Sequence, residues 1–101
     1  MKWQLGDELD NRIKQYDGWL DLIDIEAPDE QGVFVFVSDG LDVRYVGSAK
    51  ESLDKEINAA VNNGKSGGAS MYSWYVTLSY KDAESLSGSW IEKYRPANCK
   101  G

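Results

Sequence analysis

The chain has no histidine, a single cysteine and no excess of basic residues, and each shortage closes off a class of function. Cys99 alone cannot form an internal disulfide, and with no histidine or second cysteine it has no partner to share a zinc ion. No stretch approaches the ~20 apolar residues that a membrane-spanning helix needs. Met1-Lys2-Trp3-Gln4 opens without the apolar run of a secretory signal. The expectation is a cytoplasmic protein with no membrane association.

The missing basic excess is unevenly distributed. Residues 1–31 hold three basic residues against nine acidic ones, which accounts for the whole net charge of −6. Residues 32–101 carry eight of each sign. Proteins that hold nucleic acid unaided present a basic face, whereas this chain as a whole repels a phosphate backbone. Solubility is the plain explanation of the acidic segment. The sharper one is an acidic arm that covers a basic groove, its own or a partner's.

What the chain has instead is aromatic bulk, with four Trp, six Tyr and two Phe in 101 residues. That is enough for one modest core. Leu5, Leu9, Ile13 and Tyr16 recur at four and three residues, which predicts a helix over Asp7–Tyr16. Trp19–Ile25 is apolar without a clear period, and 28–32 has the composition of a loop. Val33–Val37 reads as a buried central strand. Asp39-Gly40 turns the chain into a returning strand, Val43–Gly47. Ser48 to Asn62 predicts a helix with Leu53, Ile57 and Ala60 or Val61 inward. Asn63–Gly68 is a loop, and Met71–Leu78 a third strand. Ser79 and Asp82 stand in capping-box spacing and open a last helix, which Pro96 stops. The expected fold is α+β: a small three-stranded antiparallel sheet flanked by helices. It divides into an acidic N-terminal helix and linker (1–31) and the sheet-bearing part (32–101).

Gly32-Val33-Phe34, Tyr45-Val46-Gly47, Ser48-Ala49-Lys50 and the closing helix that ends in Pro96-Ala97-Asn98 occur in an order that resembles the GIY-YIG nuclease family. The resemblance covers roughly residues 32–98. It implies metal-assisted phosphodiester hydrolysis. A motif tyrosine would help deprotonate the attacking water, an arginine on the first helix would stabilise charge on phosphate, and a glutamate on the last helix would hold a divalent ion. Tyr45 fills the second motif, and Asn98 matches the terminal asparagine.

The other positions depart from that pattern. Phe34 keeps the first motif's ring without its hydroxyl. The arginine falls on Lys55 or, with a one-residue insertion, on Glu56. Lysine lacks the planar fork that grips two phosphate oxygens, and glutamate reverses the sign. The metal-binding glutamate falls on Ser87, a poor anchor for a hard cation. Glu84, one helical turn away, is the only rescue. Ser85, Ser87, Gly88 and Ser89 make mid-helix small and polar, and Gly88 costs about 1 kcal/mol against alanine there. Close approach of the N-terminal segment or a partner is the compensation expected.

Gly64-Lys65-Ser66 lacks the spacing and the preceding strand of a phosphate-binding loop. Tyr72, Trp74 and Tyr75 offer either base stacking or sheet packing. These readings predict a binding or regulatory protein of nucleic-acid metabolism, such as an inhibitor from a phage or mobile element. Its partner would be nucleic acid or a nucleic-acid-binding protein, met through Phe34, Lys50, Lys65, Ser87 and Asn98, with no cofactor. The alternative is a divergent Mg- or Mn-dependent endonuclease using Tyr45 and Lys55, with Glu84 on the metal.

Overall fold

The computed structural model describes residues 1–99. Along the chain run β1 (Ile13–Tyr16), β2 (Leu20–Asp21), β3 (Gly32–Val37), β4 (Val43–Ala49), α1 (Leu53–Asn62), β5 (Met71–Thr77) and α2 (Tyr80–Tyr94). Two 3₁₀ turns, Asp7–Leu9 and Ala97–Cys99, complete the set. All pairings are antiparallel. β3 lies between β4 and β5, and the outer edge of β5 carries both β1 and β2.

The α+β class holds, but the sheet has five strands rather than three. Both additional strands come from residues 1–31, where a helix over Asp7–Tyr16 was expected. The helical periodicity there points at nothing buried: Leu5 is 89% exposed and Leu9 73%. Ile13 and Tyr16 instead lie opposite Thr77 and Tyr75, so an available sheet edge overrides a local helical pattern. The N-terminal third is thus a strand-forming part of the sheet and not a helical extension.

β3 explains why its sequence is continuously apolar. Val33, Val35 and Val37 face one side, where they meet Val43, Val46, Tyr75 and the inner residues of α2: Ala83, Leu86, Trp90 and Tyr94. Phe34 and Phe36 face the other side, against Leu53, Ile57 and Ala60 of α1 and Tyr72, Trp74 and Val76 of β5. A central strand covered on both faces needs no polar alternation. Tyr72, Trp74 and Tyr75 are all buried, so they pack the sheet and offer no rings for base stacking.

Trp3 closes the α2-side core from the N-terminal segment. Its ring stacks on Tyr75 (5.8 Å between centroids) and Tyr94 (5.3 Å), and meets Trp19 (5.4 Å) and Trp90 (5.0 Å) edge to face. The segment is also fastened to α2 by polar contacts. Tyr94 Oη donates to Asp7, which pairs with Lys93 Nζ at 2.8 Å. Arg12 holds both Asp10 oxygens at 2.9 Å and donates to Ser85 Oγ at 2.8 Å. The hydrogen bond from Arg12, more than any other cause, keeps the Asp10 carboxyl below its usual range. A lowered carboxyl pKa stabilises the fold fully above the unfolded value, near pH ~4, and progressively less as pH falls through the folded value. The melting temperatures of the native protein and Asp10→Asn are therefore expected to differ at pH 7. They should converge as thermal melts are repeated towards pH ~2.

α1 begins at Leu53, not Ser48, because Ser48 and Ala49 extend β4 opposite Val33 and Gly32. Ser52 is its cap: the hydroxyl accepts from Lys55 N–H at 3.2 Å and donates to Asp29 Oδ1 at 2.7 Å. Leu53 N–H donates to Glu30 O in the same place, which ties the approach to β3 onto the start of α1. Ser52→Ala is expected to cost about 1–2 kcal/mol in chemical denaturation, since the cap and the hydrogen bond to Asp29 are lost together. Ser79 caps α2 through Asp82 N–H, and Arg95 leaves the helix in the left-handed region (φ 45°) just before Pro96. Among the described residues no helix is long and apolar enough to cross a membrane.

Candidate functional site

The two motif strands meet through their rings. Phe34 lies opposite Gly47 and Phe36 opposite Tyr45. The Tyr45 ring sits 5.9 Å from Phe34 and 5.7 Å from Phe36, on the sheet face that carries α1. Gly47 is required by this packing, since a Cβ there would overlap the tip of the Phe34 ring. Where Phe34 stands there is no second hydroxyl beside Tyr45.

Tyr45 is half-buried, and its phenol is pushed above the ordinary range by that burial first, then by Cys99 and Glu56. A raised phenol pKa makes the phenolate harder to form, which works against removal of a proton from water. Of the two residues open for the arginine position, Glu56 is the one whose charge Tyr45 feels.

Lys55 and Glu56 are both exposed and share a recess of about 160 Å³ with Lys50, Glu51 and Ser52. Two cations and two carboxylates make that surface balanced in sign, so it offers little net attraction to phosphate. Lys50 turns its ammonium over the Tyr80 ring, 5.8 Å from the centroid.

Asn98 and Lys65 meet at the far end of α1. Asn98 Nδ2 donates to the carbonyls of Lys65 and Gly67, each at 2.8 Å. The loop that reads as free in sequence is pinned at this point, and Asn98 joins it to the 3₁₀ turn beside β4. Cys99 is the neighbour that sequence reasoning passed over. Its Sγ accepts from Val46 N–H at 3.5 Å and donates to Val46 O at 3.4 Å, covering the outer edge of β4. A lone cysteine gives no signal of such a role. Burial is the first cause that raises its thiol pKa.

Ser87 and Glu84 stand apart from this group, because α2 packs on the opposite face of the sheet. Ser87 is buried and its hydroxyl donates to Glu84 O at 3.1 Å, within the helix itself. Glu84 is exposed. Among the described residues no three His, Cys, Asp or Glu side chains converge. A neutral hydroxyl already committed to a carbonyl, beside one carboxylate turned to water, does not fit a hard divalent ion. Gly88 lies open, and a Cβ there would meet nothing within 4 Å. The close approach expected at Gly88 is not found: the N-terminal segment reaches α2 at Ser85, Lys93 and Tyr94 instead. Nothing in the structure explains the glycine.

No protein-family model and no curated protein matches the chain. Among solved structures it is similar to the GIY-YIG N-terminal endonuclease domain of UvrC from Thermotoga maritima bound to magnesium. The TM-score is 0.66 at 26% identity, over 75% of this chain and 90% of that one. Two point mutants of the same bacterial domain, both bound to its catalytic divalent cation, match with the same TM-score at 26% and 25% identity. Each covers 76% of this chain and 90% of the other. The fold of this chain is GIY-YIG-like.

Proposed function

We propose that this GIY-YIG-like domain acts in nucleic-acid metabolism by binding and not by cutting. The observation that supports this most is at the metal position, where the Ser87 hydroxyl donates to Glu84 O and a hard cation would need a carboxylate. Phe34 withholds a second hydroxyl, and Ser87 withholds a metal anchor. Each lost charge-stabilising donor costs roughly 10²–10³ in rate, and loss of the metal more. Its partner is then nucleic acid or a protein that binds it. The acidic residues 1–31 favour the second: a small acidic protein occupies a basic groove, as an inhibitor carried by a phage or mobile element would.

A second reading is a divergent endonuclease with Tyr45, Lys55 and Glu84 in the working roles. The bacterial domain's bound magnesium favours it. Cleavage of single-stranded, duplex and branched DNA, assayed with Mg²⁺ and with Mn²⁺, separates the two. No cutting is expected, and Tyr45→Phe should behave as the native protein does. Metal-dependent cutting that Tyr45→Phe abolishes overturns the binding reading. Glu56→Arg provides a positive readout. Reversing one charge beside Tyr45 is expected to raise duplex affinity about tenfold at low salt and to steepen its salt dependence by about one to two phosphate contacts.

A further inference from the structure

The N-terminal segment does more than complete the sheet. It builds a recess of about 210 Å³ on the α2-side face, away from Tyr45, with Trp3, Tyr16, Trp19 and Tyr75 among its walls and Glu8 at its side. From the walls and the charge of this recess, we propose that it binds an alkylated ammonium group, such as a trimethylammonium head. The inference is independent of the nucleic-acid reading.

Three observations carry it. The first is ring geometry. Trp3 and Trp19 stand at 87° with centroids 5.4 Å apart, while Tyr16 stacks along Tyr75 at 6.0 Å. The edge of one ring meets the face of the other there, and Trp3 and Tyr75 are buried, so Trp19 and Tyr16 are the rings left partly open to a round cation. A flat base needs a slot between parallel faces, and the parallel contacts of Trp3 are already taken by Tyr75 and Tyr94.

The second is charge. Glu8 accepts from Gly6 N–H at 3.1 Å and Trp3 Nε1–H at 3.4 Å, so its carboxylate is held in place by neutral donors. Among the described residues no Lys or Arg pairs with it. A fixed carboxylate beside aromatic rings attracts a cation and repels phosphate or carboxylate ligands.

The third is the setting. Asp7 and Asp10 pair with Lys93 and Arg12, so Glu8 is the carboxylate left to face a ligand in this recess. An alkylated ammonium suits these walls better than a bare one, because its methyl groups bury against the rings and it gives up less hydration. Tyr16 is 42% exposed, so part of its ring stays open to a ligand.

The test uses choline and its neutral carbon isostere, 3,3-dimethylbutanol, titrated against the full chain and followed by tryptophan fluorescence. Saturable binding of choline is expected, with the isostere about tenfold weaker or more, since only the cation gains from the rings and Glu8. Glu8→Gln and Trp19→Leu should each weaken choline binding several-fold while the far-UV circular dichroism spectrum stays native. A trimethyllysine peptide and phosphocholine then distinguish the sources. The peptide should match choline, and phosphocholine should be weaker because Glu8 repels its phosphate. Equal binding of choline and the isostere overturns the proposal in favour of a plain apolar recess. So does the absence of a saturable signal with any of the cations, or choline binding that both variants leave unchanged.

Discussion

Replacing Trp3 by alanine is expected to lower the melting temperature by about 20 °C or more. The side chain is 7% exposed and touches four aromatic rings, two by stacking and two edge to face. Removing a buried tryptophan costs about 3–5 kcal/mol, of which part is lost transfer energy and part the cavity left behind. Here the cavity would open between β5 and α2, elements held rigidly by their own pairings, so little collapse can fill it. Trp3→Phe keeps a ring in place and should recover a large part of the loss. Thermal melts of the two variants check both statements. A Trp3→Ala protein as stable as the native chain would mean that the N-terminal segment is a detachable arm.

Gly32→Ala is expected to destabilise by about 3 kcal/mol, a large effect for one methyl group. The Cβ would overlap the backbone oxygen of Tyr75 and sit 2.9 Å from Leu53 Cδ1. A flexible side chain can yield a few tenths of an ångström, but a strand carbonyl in the β3–β5 ladder cannot move without breaking the register. Gly40→Ala is the control, because a Cβ there meets nothing within 4 Å and the change should stay within about 0.5 kcal/mol. Denaturant titration of the pair measures the difference directly. The first glycine of the motif pair is thus explained by packing, as Gly47 is by the Phe34 ring, without any appeal to catalysis.

Much of residues 32–98 was legible in sequence because local chemistry and tertiary context agree there. Val33–Val37 has no polar position and is buried at every residue; Ser79 accepts from Asp82 N–H, one half of the capping box that their spacing predicts; Leu53, Ile57 and Ala60 point inward. Residues 1–31 were not legible for the opposite reason. The strands there are four and two residues long, and what defines them is the unpaired edge of β5, some sixty residues away in sequence. A pattern such as Leu5–Leu9–Ile13–Tyr16 carries no record of a distant edge. The candidate site was partly legible in the same way. Sequence spacing placed Tyr45 and Phe34 together but left Lys55 and Glu56 undecided, because one residue of helix register exchanges them. The electrostatics at Tyr45 bring in Glu56. Asn98 and Cys99 were beyond reach, since their roles depend on the 3₁₀ turn folding back along β4.

The position of β5 also sets an order of events during synthesis. β1 and β2 pair only with β5, and Trp3 finds its rings on Tyr75, Trp90 and Tyr94. The first twenty residues leave the ribosome long before any of those partners exists. The β3–β4 hairpin and α1 can form meanwhile from short-range contacts, whereas the outer strands wait for long-range closure. An acidic segment is well suited to that delay, because like charges keep nascent chains apart while its two tryptophans remain uncovered.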